Sequence, residues 1–285
     1  MTHGKKITIY WVDGNPDGII TGELFGWSCK CLKLPREQVS CNRKELSLPG
    51  VYFLICADTS DGEDAVYIGE SNDVQTRLTQ HLQDFKSDKE KYYWQNVVVF
   101  TSYDLNKSLI QYLENRLVDI AKASKRYKVL TKASSSTTFL KEYEVDTMEE
   151  FLENIKTLLD ALNYRVLEPL PVMPDSVEQP QKIEYLYLTV KVANGKGYIT
   201  SDKKFVICKG ATINNNTAKA CPKAAIKKRE ALKADGLIVD NILQDDIVAN
   251  SSSMAASIIV GWSISGPEFW KNSDGVALKE LQKEE

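Results

Sequence analysis

The first half of the chain alternates short apolar runs with polar turns, which is the pattern of strands in an α+β fold. Runs rich in β-branched and aromatic residues predict these strands, and they cover 7–12, 19–25, 51–55, 65–68 and 97–100. A shorter element is predicted at 32–34, and a helix or loop at 35–46. The polar stretch from Asp58 to Asp64 is typical of a turn, so the runs on either side of it predict a β-hairpin ending at Gly69.

Two amphipathic helices are predicted around this hairpin. The first begins near Ser71, Asn72 or Asp73, which are N-cap candidates, and buries Val74, Leu78 and Leu82. The second covers 106–123 and has Leu109, Leu113 and Leu117 as its core stripe. Glu114 lies in a neighbouring row between Ile110 and Val118. A solvated glutamate would more often face the polar side, so this position favours a half-buried carboxylate such as a metal ligand.

A third amphipathic helix and a Pro-rich segment mark the end of the first domain. The helix is predicted at 148–162, and Thr147 with Glu150 resembles a capping box at its start. Residues 168–181 are rich in proline and lack periodicity, which predicts a linker. We therefore expect a β-rich extension at 1–47, a domain at 48–167, the linker, and a second domain at 182–285.

The second domain is predicted to be a small α+β unit. Strands are expected at 185–190, 198–200 and 205–208, with a turn at 194–197 and a strand or loop at 237–243. Helices are expected at 218–234, interrupted near its start by Pro222, and at 252–260. The first of these helices is rich in lysine and could bind nucleic acid. We expect Trp262 and Trp270 to be core residues.

Composition indicates a soluble globular protein without a strong overall charge. Of 285 residues, 43% are hydrophobic and 26% charged, and the net charge is −3, so any phosphate-binding surface must be local. No signal peptide or membrane-spanning run is evident. Cys29, Cys31 and Cys41 lack a nearby histidine and are poorly spaced for zinc, so we interpret them as reduced thiols of a cytoplasmic protein.

One local basic stretch could contact a phosphate backbone. It is followed by the hydroxyl-rich residues 134–138, and its members are Lys122, Lys125, Arg126, Lys128 and Lys132. A solvated surface is the competing interpretation. Residues 5–47 also allow two interpretations: they complete a hydrophobic layer, or they help to hold a substrate. We favour the hydrophobic layer.

Five positions stand out in order along the first domain. They are Gly50-Val51-Tyr52, Tyr67-Ile68-Gly69, Arg77, His81 four residues later on the same helix face, and Glu114. In order and spacing they resemble the two tyrosine motifs, the arginine, the histidine and the glutamate of the GIY-YIG nuclease family. The usual asparagine after the glutamate helix is missing, and Thr131 lies near its place.

The resemblance implies a small antiparallel sheet flanked by helices and a metal-dependent endonuclease that hydrolyses nucleic-acid phosphodiesters. Tyr52 would be the general base, helped by His81 or a metal-bound water, with Tyr67 positioning water or phosphate. Arg77 would stabilise charge on the phosphate. Glu114 would hold one Mg²⁺, with Mn²⁺ as a substitute.

The C-terminal segments resemble a second family of undefined chemistry, DUF4357. They are 205–211, 229–236, 252–256 and Trp270-Lys271 with Gly275.

The expected partner of the whole chain is nucleic acid, with DNA favoured. No contact with a membrane is expected. Clean double-strand cleavage would require a homodimer or sequential nicking. The alternatives are an idle nucleic-acid-binding scaffold, or an interaction module that acts through the second domain.

Overall fold

The computed structural model describes residues 4–40, 43–56, 64–90, 92–131, 139–170 and 183–283. These residues fall into two compact units, one before residue 171 and one after residue 182. Both units mix strands and helices, as predicted, so the chain is an α+β protein.

A seven-stranded sheet forms the centre of the first unit. Its strands are β1 (Ile7–Trp11), β2 (Ile20–Leu24), β3 (Lys30–Pro35), β4 (Gly50–Cys56), β5 (Ala65–Ser71), β6 (Asn96–Thr101) and β7 (Lys128–Val129). Their order is β1-β2-β3-β6-β4-β5-β7, and among the described strands of this sheet only β5 and β7 pair in parallel. The N-terminal strands therefore extend the sheet that contains both tyrosine motifs.

Three helices cover the two faces of this sheet. They are α1 (Val74–Lys86), α2 (Lys107–Ser124) and α3 (Glu142–Ala161), and short 3-10 turns occupy Arg36–Gln38 and Lys44–Leu46. Alternate residues of β4 point to opposite faces. Val51 and Phe53 pack with α2 and α3, whereas Tyr52 and Leu54 pack with α1. Tyr52 therefore lies on the α1 face of the sheet.

The helix starts follow local capping chemistry, with one correction to the prediction. The Asp73 carboxylate accepts from the Thr76 amide, as a predicted N-cap should. The third helix, however, begins at Glu142 rather than at 148. Thr147 lies inside it and donates to the Tyr143 carbonyl, so the capping box predicted at Thr147 is wrong. Glu144 instead accepts from the Lys141 amide.

The second unit has a four-stranded antiparallel sheet and a short hairpin. The strands of the sheet are β8 (Leu186–Val190), β9 (Ala193–Ile199), β10 (Phe205–Ile207) and β13 (Ile247–Ala249). They lie side by side in the order β13-β10-β9-β8. The hairpin pairs β11 (Ile238–Val239) with β12 (Ile242–Leu243). The helices are α4 (Lys223–Ala234), α5 (Ser252–Val260), α6 (Gly266–Phe269) and α7 (Leu278–Leu281). Trp270 is fully buried in this core and Trp262 packs against it.

The turn predicted at 194–197 is wrong, because these residues lie inside β9. The chain instead reverses between β8 and β9, where Val190 pairs with Ala193. Gly195 and Gly197 lie at positions in β9 where close packing leaves no room for a side chain. A Cβ on Gly197 would fall 2.4 Å from the Val206 carbonyl oxygen, and one on Gly195 would fall 2.6 Å from Cδ1 of Ile259.

Neither a membrane-spanning helix nor a cysteine-rich metal site appears in the part of the chain that the structure describes. No described helix has the length and apolarity to cross a membrane. Cys29 and Cys31 are buried, and burial raises the pKa of both thiols. Among the described residues, no group of three or more His, Cys, Asp and Glu side chains could hold a metal. Cys41 lies outside them.

Candidate active site

The two motif tyrosines lie side by side because β4 and β5 pair in register. Tyr52 lies directly opposite Gly69, and Leu54 opposite Tyr67. A Cβ on Gly69 would fall 2.4 Å from the Tyr52 hydroxyl oxygen, so the glycine lets the phenol lie flat across β5. The two phenol rings stack with their centroids 6.3 Å apart. Tyr52 is 1% exposed, whereas Tyr67 is half-buried.

His81 links the first tyrosine to an acidic residue. Its side chain is fully buried on the inner face of α1, and its Nε2 lies 2.9 Å from the Tyr52 hydroxyl. The imidazole stands edge-on to both phenols, with centroids 5.6 Å from Tyr52 and 5.2 Å from Tyr67. On the other side of the ring, Nδ1 contacts a carboxylate oxygen of Glu90. The three side chains therefore form one continuous line of hydrogen bonds.

Burial keeps both members of the Tyr52–His81 pair neutral at neutral pH. It raises the pKa of the Tyr52 phenol well above its usual value of about 10. Burial, with Arg77 close by, lowers the pKa of His81 to about 4. Proton transfer from Tyr52 to His81 in the resting site is therefore unfavourable, because it would create two charges in a buried place.

Arg77 supplies positive charge beside both phenols. It lies one helical turn before His81, is half-buried, and can hydrogen-bond the ionised form of either tyrosine. Its Nη1 donates to Oε1 of Gln80 at 2.7 Å. Arg77 also lies close enough to Glu114 to lower the pKa of that carboxyl. It therefore connects the tyrosine pair with the acidic side of the site.

Glu114 stands beside a second carboxylate. Burial and the neighbouring Glu70 raise the pKa of Glu114 to about 7, against the opposing effect of Lys107. Glu70 pairs with Lys107 through one oxygen, and its Oε2 is buried without a hydrogen-bond partner. Two hard oxygen ligands with an unpartnered atom fit Mg²⁺, which takes one or two carboxylates and keeps water or phosphate as its other ligands.

The structure thus places all five predicted site residues in one cluster. Tyr52, Tyr67, Arg77 and His81 are direct neighbours, and Glu114 lies within electrostatic range of the first three. Glu70 and Glu90 also belong to this cluster and were not predicted from the sequence. Glu70 follows the second motif directly, which is a signal that could have been used. Glu90 lies in a lysine-rich run that gives no such signal.

Thr131 supports the second motif from the strand edge. Its hydroxyl accepts from the Ile68 amide and donates to the Ile68 carbonyl, both at 2.7 Å. Ile68 lies between Tyr67 and Gly69, so Thr131 fixes the backbone of the motif. A threonine therefore makes a structural contact close to the place where the sequence analysis looked for an asparagine.

The basic stretch separates into surface and buried members. Lys122, Lys125 and Lys128 are exposed, whereas Lys132 lies outside the described residues. Arg126 is 5% exposed. Its Nε donates to the Glu168 carbonyl at 2.7 Å, and its guanidinium lies 3.7 Å from the Glu168 carboxylate. The prediction that Arg126 contacts phosphate is therefore wrong. Its guanidinium instead binds the last residues of the first unit.

A comparison with family models agrees with this geometry. A model described as the GIY-YIG catalytic domain matches residues 48–128. The first unit contains a GIY-YIG catalytic domain. A second model, described as a domain of unknown function (DUF4357), matches residues 186–282. Searches of the curated proteins and of the solved structures returned no match.

The GIY-YIG match covers every residue of the cluster, including Glu70 and Glu90. A GIY-YIG domain supports a nuclease that acts on nucleic acid. The DUF4357 match coincides with the second unit and assigns it no chemistry.

Proposed function

We propose that the GIY-YIG domain of this protein is a metal-dependent endonuclease that hydrolyses phosphodiester bonds, with DNA as the favoured substrate. The observation that carries the proposal is the buried contact between the Tyr52 hydroxyl and Nε2 of His81 beside Arg77. A phenol that acts as a general base needs an acceptor for its own proton, and His81 is in place to be that acceptor.

In the proposed reaction, Tyr52 relays a proton. Because the separated tyrosinate–imidazolium pair is costly, the transfers occur together rather than through a stable tyrosinate. Water attacks phosphorus and gives a proton to the Tyr52 oxygen, while the Tyr52 hydroxyl proton passes to Nε2 of His81. The phosphorus–oxygen bond to the leaving group breaks, and the leaving oxygen takes a proton from solvent.

Arg77 and Tyr67 act on the phosphate. The guanidinium of Arg77 neutralises charge that develops on the phosphate oxygens, using its forked donors. Tyr67 is half-buried next to it and orients the attacking water or the phosphate. Glu114, with Glu70 beside it, would hold Mg²⁺ or Mn²⁺. When bound, the metal would neutralise the phosphate and the leaving oxygen.

The proposed partner is nucleic acid, bound partly through the exposed lysines Lys122, Lys125 and Lys128 at and beyond the end of α2. One such site cuts one strand, so double-strand cleavage would come from two copies of the chain or from two successive nicks. We assign the second unit a role in target recognition or assembly.

The proposed location is the cytoplasm. The thiols of Cys29, Cys31, Cys56 and Cys221 are free and buried, which fits the reducing conditions there.

Nicking of supercoiled plasmid with Mg²⁺ or Mn²⁺ tests the proposal. Wild type should nick, whereas Tyr52→Phe and Glu114→Ala should be inactive. Tyr103→Phe is the matched control, because Tyr103 is 85% exposed and outside the cluster. Equal nicking by all variants would contradict the assigned roles. Salt-sensitive DNA binding without any nicking by wild type would favour an idle scaffold.

A further inference from the structure

Glu90 reaches the site because the chain folds back at the end of α1. Asp88 adopts a left-handed conformation, with φ of 58°. The amides of Lys89 and Glu90 then both donate to the Asp84 carbonyl, at 2.9 and 3.3 Å. This reversal places the Glu90 side chain against the imidazole of His81, where it is 13% exposed.

The contact between Glu90 and Nδ1 decides which nitrogen of His81 carries the proton. A carboxylate accepts hydrogen bonds only, so it selects the tautomer with hydrogen on Nδ1. Nε2 then has a free lone pair, which faces the Tyr52 hydroxyl. The opposite tautomer would present an N–H to Tyr52 and leave its hydroxyl proton without this acceptor.

We propose that Glu90 is a positioning residue of this site, which holds His81 in the Nδ1–H tautomer so that Nε2 can take the Tyr52 proton. This inference rests on the proposed nuclease function. During the reaction the Tyr52 proton moves to Nε2, the Nδ1 proton stays shared with Glu90, and the imidazolium is stabilised by the carboxylate. When the cycle closes, the imidazolium returns its Nε2 proton to Tyr52 while Tyr52 releases the proton it took from water to solvent. This release replaces the proton that the leaving oxygen took, so no further reactant is needed.

Burial, together with Asp84, raises the pKa of Glu90, and neighbouring groups that favour its ionised form oppose this rise. Arg36 lies close enough to Glu90 to interact with it electrostatically. The Arg36 guanidinium carbon lies 4.5 Å from the Trp94 ring centroid and 4.8 Å from that of Tyr93, so it is held in place. The Tyr92 hydroxyl is within hydrogen-bonding reach of Glu90, and the Tyr92 ring stacks 5.8 Å from Tyr67.

The tautomer can be measured without any assay of cleavage. The chain contains two histidines, so a His3→Gln background leaves His81 alone. In full-length protein labelled with ¹⁵N-histidine, NMR at neutral pH should show a protonated Nδ1 and an unprotonated Nε2. A wild-type spectrum with the proton on Nε2 would overturn the proposal, even if the protein is active.

Glu90→Gln tests the consequence, because the amide can donate to Nδ1 and so permits the other tautomer. We expect His81 to shift toward Nε2–H, and kcat for nicking to fall by about 10²-fold with little change in KM. Glu149→Gln is the matched control, since it makes the same change in a hydrogen-bonded carboxylate outside the site. Glu149 accepts from Tyr112 and Arg116, and the three residues lie on α2 and α3.

The two proposals can fail separately. An unchanged tautomer together with unchanged kcat in Glu90→Gln would refute the positioning role, while nicking by wild type continues. An inactive wild type would remove the nuclease function, and the two spectra would still decide what Glu90 does. The wild-type spectrum also remains decisive if Glu90→Gln fails to fold.

Discussion

Gly69 lies opposite Tyr52 in the β4–β5 ladder, and a Cβ on Gly69 would fall 2.4 Å from the Tyr52 hydroxyl oxygen. Tyr67 closes the other side, because its ring carbon Cε1 would lie 2.9 Å from the same Cβ. Gly69, the last residue of the second motif, therefore leaves the space in which the Tyr52 phenol lies against His81.

Gly69→Ala should consequently damage both stability and activity. The added methyl group must displace a phenol ring that is packed on all sides, which costs about 1–3 kcal/mol. It also moves the hydroxyl away from Nε2 of His81. We expect a lower Tm and loss of nicking. Gly4→Ala is the control, because nothing lies within 4 Å of its added Cβ. A Gly69→Ala protein with wild-type nicking would contradict the packing argument.

Stability should depend on pH through His81. Burial lowers its pKa from 6.5 to about 4, so between these values the unfolded chain binds more protons than the folded one. The contribution of neutral His81 is therefore complete above pH 6.5 and is lost as the pH falls toward 4. At about 1.4 kcal/mol per pKa unit, the loss is about 3 kcal/mol.

Urea unfolding of wild type and His81→Gln across this pH range measures that loss. The difference between the two free energies of unfolding cancels the titration of most other groups. It should shrink as the pH falls from 6.5 to 4. A difference that is constant with pH would show that His81 titrates normally in the folded protein.

Thr131→Val should destabilise the second motif, whereas Thr131→Ser should be tolerated. Valine has the shape of threonine but cannot bond the amide and carbonyl of Ile68, which are buried. Unpaired buried groups of this kind cost about 1–3 kcal/mol. Serine retains the hydroxyl. Thermal unfolding of the three proteins measures the effect, and equal Tm values for valine and serine would argue against it.

Metal binding should require Glu114 and be assisted by Glu70. Titration of the metal-free protein with Mn²⁺ should show no site in Glu114→Gln and an affinity reduced about tenfold in Glu70→Gln. Glu23→Gln is the control, since Glu23 pairs with Lys30 at the surface. Full affinity in Glu114→Gln would place the metal elsewhere.

The basic stretch that begins in the last turn of α2 should divide into binding and structural residues. Lys122→Ala and Lys128→Ala should each reduce the salt dependence of DNA binding by roughly one unit of log–log slope. Arg126→Ala should leave that slope unchanged and lower stability by about 1–3 kcal/mol, because its buried guanidinium donates to the backbone carbonyls of Glu168 and Pro169. Equal slopes for all three variants and wild type would exclude these lysines as phosphate contacts.

The sequence predicted those parts of the fold that depend on local patterns. The β4–β5 hairpin and α1 and α2 follow from apolar periodicity and from the caps Asp73 and Asn106. The start of α3 was missed because its first turn is polar and its cap is an uncommon one, Lys141. The turn at 194–197 was mistaken because glycine marks close packing as well as turns.

The site was predicted only where residues belong to regular elements. Tyr52, Tyr67, Arg77, His81 and Glu114 were predicted from the resemblance to the GIY-YIG family, and all five lie in strands or helices. Glu90 depends on the reversal at Asp88, which a sequence pattern does not specify. The burial of Arg126 similarly depends on Glu168 and Pro169, more than 40 residues away along the chain.

The order of strands has a consequence for how the protein forms during synthesis. β3 pairs on one side with β6, and β6 follows it by 60 residues or more along the chain. The β4–β5 hairpin can close locally, and β1, β2 and β3 can pair with one another, but β3 cannot join the rest of the sheet until β6 has left the ribosome. We therefore expect β1–β3 to dock late, onto an assembled tyrosine pair, and nascent chains that stop before Asn96 to expose an open apolar edge.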